Sequence, residues 1–186
     1  MVFRLKKGDL IDILAPGSFI DEEENFQKGI EILKNWGLEI NENNSLSKTF
    51  GYFAGDDLTR FEELEKSHNS KLIIFAKGGW GSARLLEKKP SWQHGLMLGF
   101  SDTCSLLLSK YSEGFIGSIH GPMVTSLFKE PEWSLERLRN LLFEGYVEDI
   151  IGIPLRGGKA KGEIIVSNLT IATFLIGTNH FPDCKG

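Results

Sequence analysis

Short apolar runs alternate with amphipathic helical segments along most of the chain, and this alternation restricts the fold more than any other feature. The run Leu10 to Ala15 closes at Pro16-Gly17-Ser18, as expected of a buried strand that ends in a turn. Acidic residues from Asp21 then precede apolar residues at helical spacing, and Gly37 supplies a stop. Strands that alternate with helices predict a parallel sheet covered on both faces.

The same order recurs towards the carboxyl end. Further strands are predicted at Leu38 to Ile40, Leu72 to Ala76, Leu96 to Phe100 and Phe115 to Ile119. Helices are predicted after Asp56-Asp57, through Leu85-Leu86, from Asp102, and from Ser134 to Phe143 with the serine as N-cap. We therefore expect residues 1–145 to form one doubly wound, mostly parallel α/β domain.

Residues 146–186 do not continue the alternation of strands and helices. Ile150 to Leu155 and Gly162 to Val166 resemble short strands around a glycine-rich turn, and Asn168 to Ile176 resembles a helix. Roughly 40 residues are too few for an independent core. We expect this segment to be the beginning of a second, incomplete domain.

Composition excludes several classes of function. The net charge is −4 and the 21 basic residues are scattered, which disfavours a nucleic-acid partner. The two cysteines, Cys104 and Cys184, lack the spacing of a zinc site or a small disulfide scaffold, and no histidine-carboxylate spacing suggests a metal. No apolar run approaches the ~18 residues of a membrane span. A reducing compartment fits best, and a membrane-spanning protein is disfavoured.

The strongest local signal is the serine in Gly99-Phe-Ser101-Asp102. It stands between an apolar strand and an apolar helix, where a tight turn exposes a nucleophilic hydroxyl and helix-opening amides can hold an oxyanion. Thr103 stands where the common G-x-S-x-G pattern has glycine. A serine that only caps the helix fits the same spacing.

Two other positions carry weaker signals. Lys77-Gly78-Gly79-Trp80-Gly81 follows a buried strand, and its glycines could wrap a backbone around a ligand or simply form a turn. The loop fails both the dinucleotide and the phosphate-loop patterns. His120 ends a strand at the edge where open α/β sheets bind ligands, so both a base and a structural histidine remain open.

Taken together, the motifs of the chain resemble those of the LD-carboxypeptidase family, which includes the microcin-immunity serine peptidases. The motifs are Ala15-Pro-Gly-Ser18, Phe53-Ala-Gly-Asp56, Lys77-Gly-Gly-Trp-Gly-Ser-Ala-Arg84, Gly99-Phe-Ser-Asp102, His120-Gly-Pro-Met123, Ser167-Asn-Leu-Thr170 and Ile176-Gly-Thr178. The resemblance implies a cytoplasmic serine peptidase that pairs an N-terminal α/β domain with a C-terminal domain. Full-length members are usually homodimers.

The resemblance also implies roles for single residues. Ser101 is the catalytic serine, the amides of Gly79 and Asp102 form the oxyanion hole, and Gly78 and Trp80 bind substrate. The implied reaction removes the terminal D-alanine from a murein tetrapeptide in peptidoglycan recycling, with no cofactor and no metal. Alternatives are a microcin-type peptidyl- or aminoacyl-nucleotide hydrolase and a non-catalytic, truncated remnant.

The chain departs from the family pattern at several positions. The glutamate and histidine of the family triad follow the stretch at which this sequence ends, so we expect a truncated chain with an incomplete triad. Val166-Ser167-Asn168 stands where Gly-Gly-Asn is usual, and Lys77 and Trp80 stand where Arg and Tyr are common. His120 belongs to a structural motif of the family, so it is not promoted to the missing base.

Overall fold

A computed structural model describes residues 3–41 and 44–185. The remaining positions of the two predicted domains, residues 1, 2, 42, 43 and 186, lie outside the described residues. Within the described ranges the strands are β1 (Leu10–Leu14), β2 (Glu39–Asn41), β3 (Leu72–Phe75), β4 (Leu96–Gly99) and β5 (Ser118–His120). The helices are α1 (Glu23–Asn35), α2 (Asp57–Lys66), α3 (Cys104–Ser112), α4 (Val124–Leu127), α5 (Glu132–Glu144) and α6 (Leu169–Leu175).

The five strands form one parallel sheet in the order β2-β1-β3-β4-β5. Alternate residues of each strand point to opposite faces, so Ile74 and Phe75 enter different hydrophobic clusters. One cluster includes side chains of α1, α4 and α5, and the other includes side chains of α2, α3 and α6. The predicted doubly wound α/β fold is therefore confirmed.

β5 and α5 do not begin at the predicted residues. β5 begins at Ser118 rather than Phe115, because its register is set by β4, where Met97 pairs with Ser118. α5 begins at Glu132 with Pro131 as N-cap, and Ser134 instead donates from its hydroxyl to Glu130 at 2.6 Å. The predicted N-cap serine is wrong because Pro131 starts the helix earlier.

The predicted strands Ile150 to Leu155 and Gly162 to Val166 are absent, since no regular element lies between α5 and α6 in the described chain. A strand needs a partner for its backbone groups, and these two segments form no ladder with each other or with β5. Ile151 and Leu155 are almost fully exposed, at 96% and 103%. The two predicted strands are therefore wrong: the segments have the composition of strands, but neither finds a pairing partner in the described chain.

The segment that follows does dock on the domain. Asn168 caps α6, and its own amide donates to Cys104 Sγ at 3.3 Å. Leu175 is buried in the same hydrophobic cluster as α3. Within the described residues, no helix combines the length and apolar composition needed to cross a bilayer.

Candidate active site

The candidate site lies at the carboxyl edge of the sheet, where the strand order reverses. β2 follows β1 on one side, whereas β3, β4 and β5 add on the other side, so the chain leaves β1 and β3 in opposite directions. Ligands of open α/β sheets bind in the crevice at such a switch point. The loops after β1, β3 and β4 meet here, and they carry the predicted site residues.

Ser101 occupies the turn between β4 and α3. Its φ is +59°, and only Lys89 shares a positive φ among the non-glycine residues of the described chain. The residue is half-buried and opens a short 3-10 turn that leads directly into α3. The structure thus places Ser101 at the predicted strand-to-helix turn, in a backbone conformation that costs energy for any residue except glycine.

Gly99 makes this turn possible. A Cβ atom on Gly99 would lie 2.4 Å from Thr103 Oγ1 and 2.5 Å from a ring carbon of Phe75. No side chain fits at either distance, so the chain can pass from β4 into the turn only with glycine here.

The Gly78–Gly81 loop runs beside Ser101. A Cβ atom on Gly78 would lie only 3.6 Å from Ser101 Oγ. Gly79 and Gly81 have φ values of +99° and +115°, which L side chains rarely adopt. The amides of Gly79 and Trp80 donate no hydrogen bond to any residue in the described ranges. Both amides thus lack a hydrogen-bond partner among the described residues, in the loop that passes Ser101.

The loop is held by the elements around it. Gly78 O accepts from the amide and the hydroxyl of Ser18, at 3.2 and 2.9 Å. Beyond the loop, the buried carboxylate of Asp102 accepts from the amide and the hydroxyl of Ser82, at 2.9 and 2.5 Å. The Asp102 side chain thus links the serine turn to the end of the glycine loop. The role predicted for Asp102 in the oxyanion hole involves only its backbone amide.

All three loops approach each other at Gly17. A Cβ atom there would lie 2.7 Å from Gly78 O and 2.9 Å from Asp102 Oδ2. Sequence reasoning missed this role, as it missed Ser18 and Ser82. The signal available was the small-residue pair Gly17-Ser18 directly after β1.

Aromatic side chains form one wall of the crevice. Trp80 and Tyr52 are about half exposed, at 56% and 51%. The Trp80 ring lies 5.6 Å from the Phe53 ring, and a Cβ atom on Gly79 would lie 2.7 Å from the Tyr52 hydroxyl. This wall offers apolar faces and one hydroxyl to a ligand beside Gly79.

Ser101 has no base beside it in the described part of the chain, where its hydroxyl makes no hydrogen bond. His120 pairs in register with Gly99, and its ring approaches Phe100 at 6.2 Å. Partial burial of this ring lowers the pKa of His120, and among the described residues no hydrogen bond joins its imidazole to Ser101. Lys77 is engaged by Asp21 and Glu22. The described residues thus place a serine hydroxyl beside the Gly78–Gly81 loop and bring no base into hydrogen-bond contact with it.

Sequence relatives carry carboxypeptidase names. A protein of Synechocystis sp., provisionally named a carboxypeptidase, is 37% identical over 194 residues, which cover 96% of this chain and 61% of that protein. A Bacillus subtilis protein, provisionally named a murein peptide carboxypeptidase, is 26% identical over 211 residues, which cover 98% and 61%. The chain thus spans about three-fifths of the length of these relatives.

The fold has close structural neighbours. The microcin C7 self-immunity protein MccF, solved in complex with aspartyl sulfamoyl adenosine, matches with a TM-score of 0.81 at 20% identity, over 100% of this chain and 68% of that one. The family defined by the LD-carboxypeptidase N-terminal domain matches residues 11–121, which include β2 to β5, all of β1 except Leu10, and all three loops of the site. The chain therefore belongs to the LD-carboxypeptidase family.

Proposed function

We propose that this chain carries the nucleophile and the oxyanion donors of an LD-type serine carboxypeptidase, which removes the terminal D-alanine from a murein tetrapeptide. The supporting observation is Ser101, held at positive φ beside the Gly78–Gly81 loop at the switch point of the sheet. A cytoplasmic location, a small muropeptide substrate in peptidoglycan recycling and a homodimer belong to the same proposal.

In the proposed reaction, Ser101 Oγ attacks the carbonyl carbon of the L,D peptide bond while its proton passes to a base. The amides of Gly79 and Asp102 stabilise the oxyanion, because preorganised donors match the charge that develops there. The amine of D-alanine then leaves with a proton, and water hydrolyses the ester on Ser101. Gly78 leaves room for the substrate backbone, and Trp80 contacts the side of the peptide.

The base is the part that the described residues do not supply. A serine hydroxyl is a weak nucleophile at neutral pH, and loss of triad members costs on the order of 10⁴ to 10⁶ in rate. The family resemblance assigns this work to a glutamate and a histidine. We therefore expect the 186-residue chain alone to hydrolyse the tetrapeptide very slowly.

The alternative substrate is an aminoacyl nucleotide of the microcin type. The exposed rings of Tyr52 and Trp80 favour it, because aromatic side chains stack on nucleobases. The structural neighbour MccF binds a compound of this kind, aspartyl sulfamoyl adenosine. The absent base favours a third alternative, a remnant that binds ligand without catalysis.

The test joins this chain to the part of the Synechocystis relative that follows the region of similarity. The extended protein, its Ser101→Ala variant and the 186-residue chain are incubated with murein tetrapeptide, and D-alanine release is measured. We expect release by the extended protein, loss of at least about 10³-fold in Ser101→Ala, and very slow release by the chain alone.

Thermal unfolding establishes that each protein is folded before the rates are compared. Equal release by the extended protein and its Ser101→Ala variant would contradict the role of the serine. Cleavage of an aminoacyl sulfamoyl adenosine without release of D-alanine would replace the proposed substrate by the alternative. A folded extended protein that binds tetrapeptide without cleaving it would identify the remnant.

A further inference from the structure

Arg60, on α2, is a fully buried arginine next to the candidate site. Its side chain is 0% exposed, and Nη2 pairs with Asp57. Nη1 donates to Pro16 O in the loop after β1, and to Gly81 O at 3.2 Å in the loop after β3. Its guanidinium lies 4.6 Å from the centre of the Phe53 ring. One side chain thus contacts both loops that border the switch point.

This burial is unfavourable by itself. The Nε atom of Arg60 is buried without a hydrogen-bond partner among the described residues, and burial lowers the pKa of the guanidinium. Apolar residues often replace a buried ion pair without loss of stability. The Arg60–Asp57 pair therefore contributes something that an apolar side chain at the same position would not.

Arg60 fixes the position of the Gly78–Gly81 loop. Ser18 holds the loop at Gly78 and Arg60 holds it at Gly81, so the amide of Gly79 lies between two fixed carbonyls. We propose that Arg60 is a positioning residue that keeps the Gly79 amide directed at the oxyanion. This inference rests on the proposed function, and it adds a residue that touches neither substrate nor Ser101.

Arginine suits this place better than lysine. The planar guanidinium directs Nη1 to two carbonyls and Nη2 to Asp57, while its face stacks on Phe53. A lysine ammonium is a point charge that cannot hold this fixed arrangement of donors. Lysine at position 60 is expected to retain part of the contact set, and methionine none of the polar contacts.

Arg84 provides a matched control. Its side chain also pairs with Asp57, through Nε at 2.9 Å, and also approaches Phe53, at 5.8 Å. Within the described structure, its side chain contacts no carbonyl of either loop. Arg84→Met therefore removes the second arginine that contacts Asp57 and Phe53. It leaves the hydrogen bonds from Arg60 to Pro16 O and Gly81 O intact.

The first measurement does not depend on enzymatic activity. Amide chemical shifts of Gly79 and Gly81 are recorded in the 186-residue chain by NMR. We expect Arg60→Met to shift both amides, Arg60→Lys to give a smaller change, and Arg84→Met to leave both amides unchanged. Unchanged Gly79 and Gly81 amides in both Arg60 variants would overturn the proposal.

The second measurement uses the extended protein. Since removal of one oxyanion donor costs about 10² to 10³ in kcat, we expect Arg60→Met to lower kcat by about tenfold to a hundredfold, with KM within about twofold. Arg60→Lys is expected to recover part of kcat. If Arg60→Met does not fold, Arg60→Lys carries both measurements.

The outcomes separate the two proposals. A displaced Gly79 amide with unchanged kcat in an active extended protein would overturn the positioning role alone. An extended protein whose activity is indifferent to Ser101→Ala would overturn the proposed function, while the NMR comparison would still decide whether Arg60 fixes the loop.

Discussion

Ser101 illustrates strain held at a single residue. An L-residue in the left-handed region costs roughly 1–2 kcal/mol, and it persists only where its surroundings determine it. Here Gly99 on one side and the buried Asp102 carboxylate on the other fix the turn. The hydroxyl is thereby presented beside the Gly78–Gly81 loop at a cost in stability.

Ser101→Gly is therefore expected to stabilise the protein. Glycine removes the φ penalty, and after its larger unfolded-state entropy is subtracted, a gain of about 0.5–1 kcal/mol in the free energy of unfolding remains. Ser101→Ala keeps a Cβ atom and is expected to give no such gain. Urea unfolding of the 186-residue chain measures all three proteins.

Lys89→Gly is the matched change, because Lys89 has a φ of +54° at an exposed turn. We expect a similar gain in stability there and no effect on D-alanine release by the extended protein. If Ser101→Gly instead lowered the free energy of unfolding as much as a glycine substitution inside a helix does, the turn would not be strained.

At the scale of elements, α3 is tied to the sheet by a buried cation. Lys110 is 2% exposed, and its ammonium donates to Gly95 O at 3.0 Å and to Ile116 O, just before β4 and β5. Burial lowers its pKa from 10.5 to about 8. The neutral amine retains two hydrogens, enough for both carbonyls.

This pKa gives a pH dependence with a defined sign. Between about pH 8 and pH 10.5 the unfolded chain keeps a proton that the folded chain has lost, so the folded state gains stability as the pH rises. Relative to Lys110→Met, wild type should gain about 2 kcal/mol between pH 7 and pH 10. Urea unfolding of both proteins at the two pH values measures this, and the difference between them removes the titration of other groups. A constant difference would show that the ammonium is not desolvated.

The sequence predicted the elements that local patterns determine. Leu72 to Ala76 and Leu96 to Phe100 are strongly apolar, and both are strands within a residue of the prediction. The exposed segments around Ile153 and Ile164 have the same local composition, yet they form no strand because pairing is not encoded locally. The short helix α4 carries too few residues to show a period, so it was missed.

The candidate site was predictable only in part. Ser101 and the glycine loop follow apolar strands directly, so a local pattern reveals them. Arg60 was hidden, because a charged residue on an amphipathic helix is ordinarily solvated. The signal was its spacing: Arg60 lies four residues before Leu64, on the buried face of α2.

At the scale of the whole molecule, the segment after α5 divides into two parts. Residues 168–181 are attached to α3: Leu175 is 6% exposed, Ser112 Oγ donates to Asn179 O at 2.9 Å, and Ser109 Oγ lies 2.9 Å from His180 Nδ1. In residues 150–164 the Tyr111 hydroxyl of α3 donates to the Glu163 carboxylate, but Ile151, Ile153 and Ile164 are 88% exposed or more. We expect slow hydrogen exchange in α6 and fast exchange from Ile150 to Ile164.

The exposed aliphatic residues are expected to make the 186-residue chain self-associate, because contiguous apolar surface and unpaired backbone favour contact with another copy. Size-exclusion chromatography at increasing concentration should show a mass above the 20.8 kDa of one chain. The double variant Ile151→Asp, Ile153→Asp should elute as a monomer. Lys159→Asp changes the net charge by the same two units at an exposed position that carries no apolar surface, and it should associate like wild type. A monomeric wild type with slow exchange from Ile150 to Ile164 would show that this segment finds its partners within its own chain.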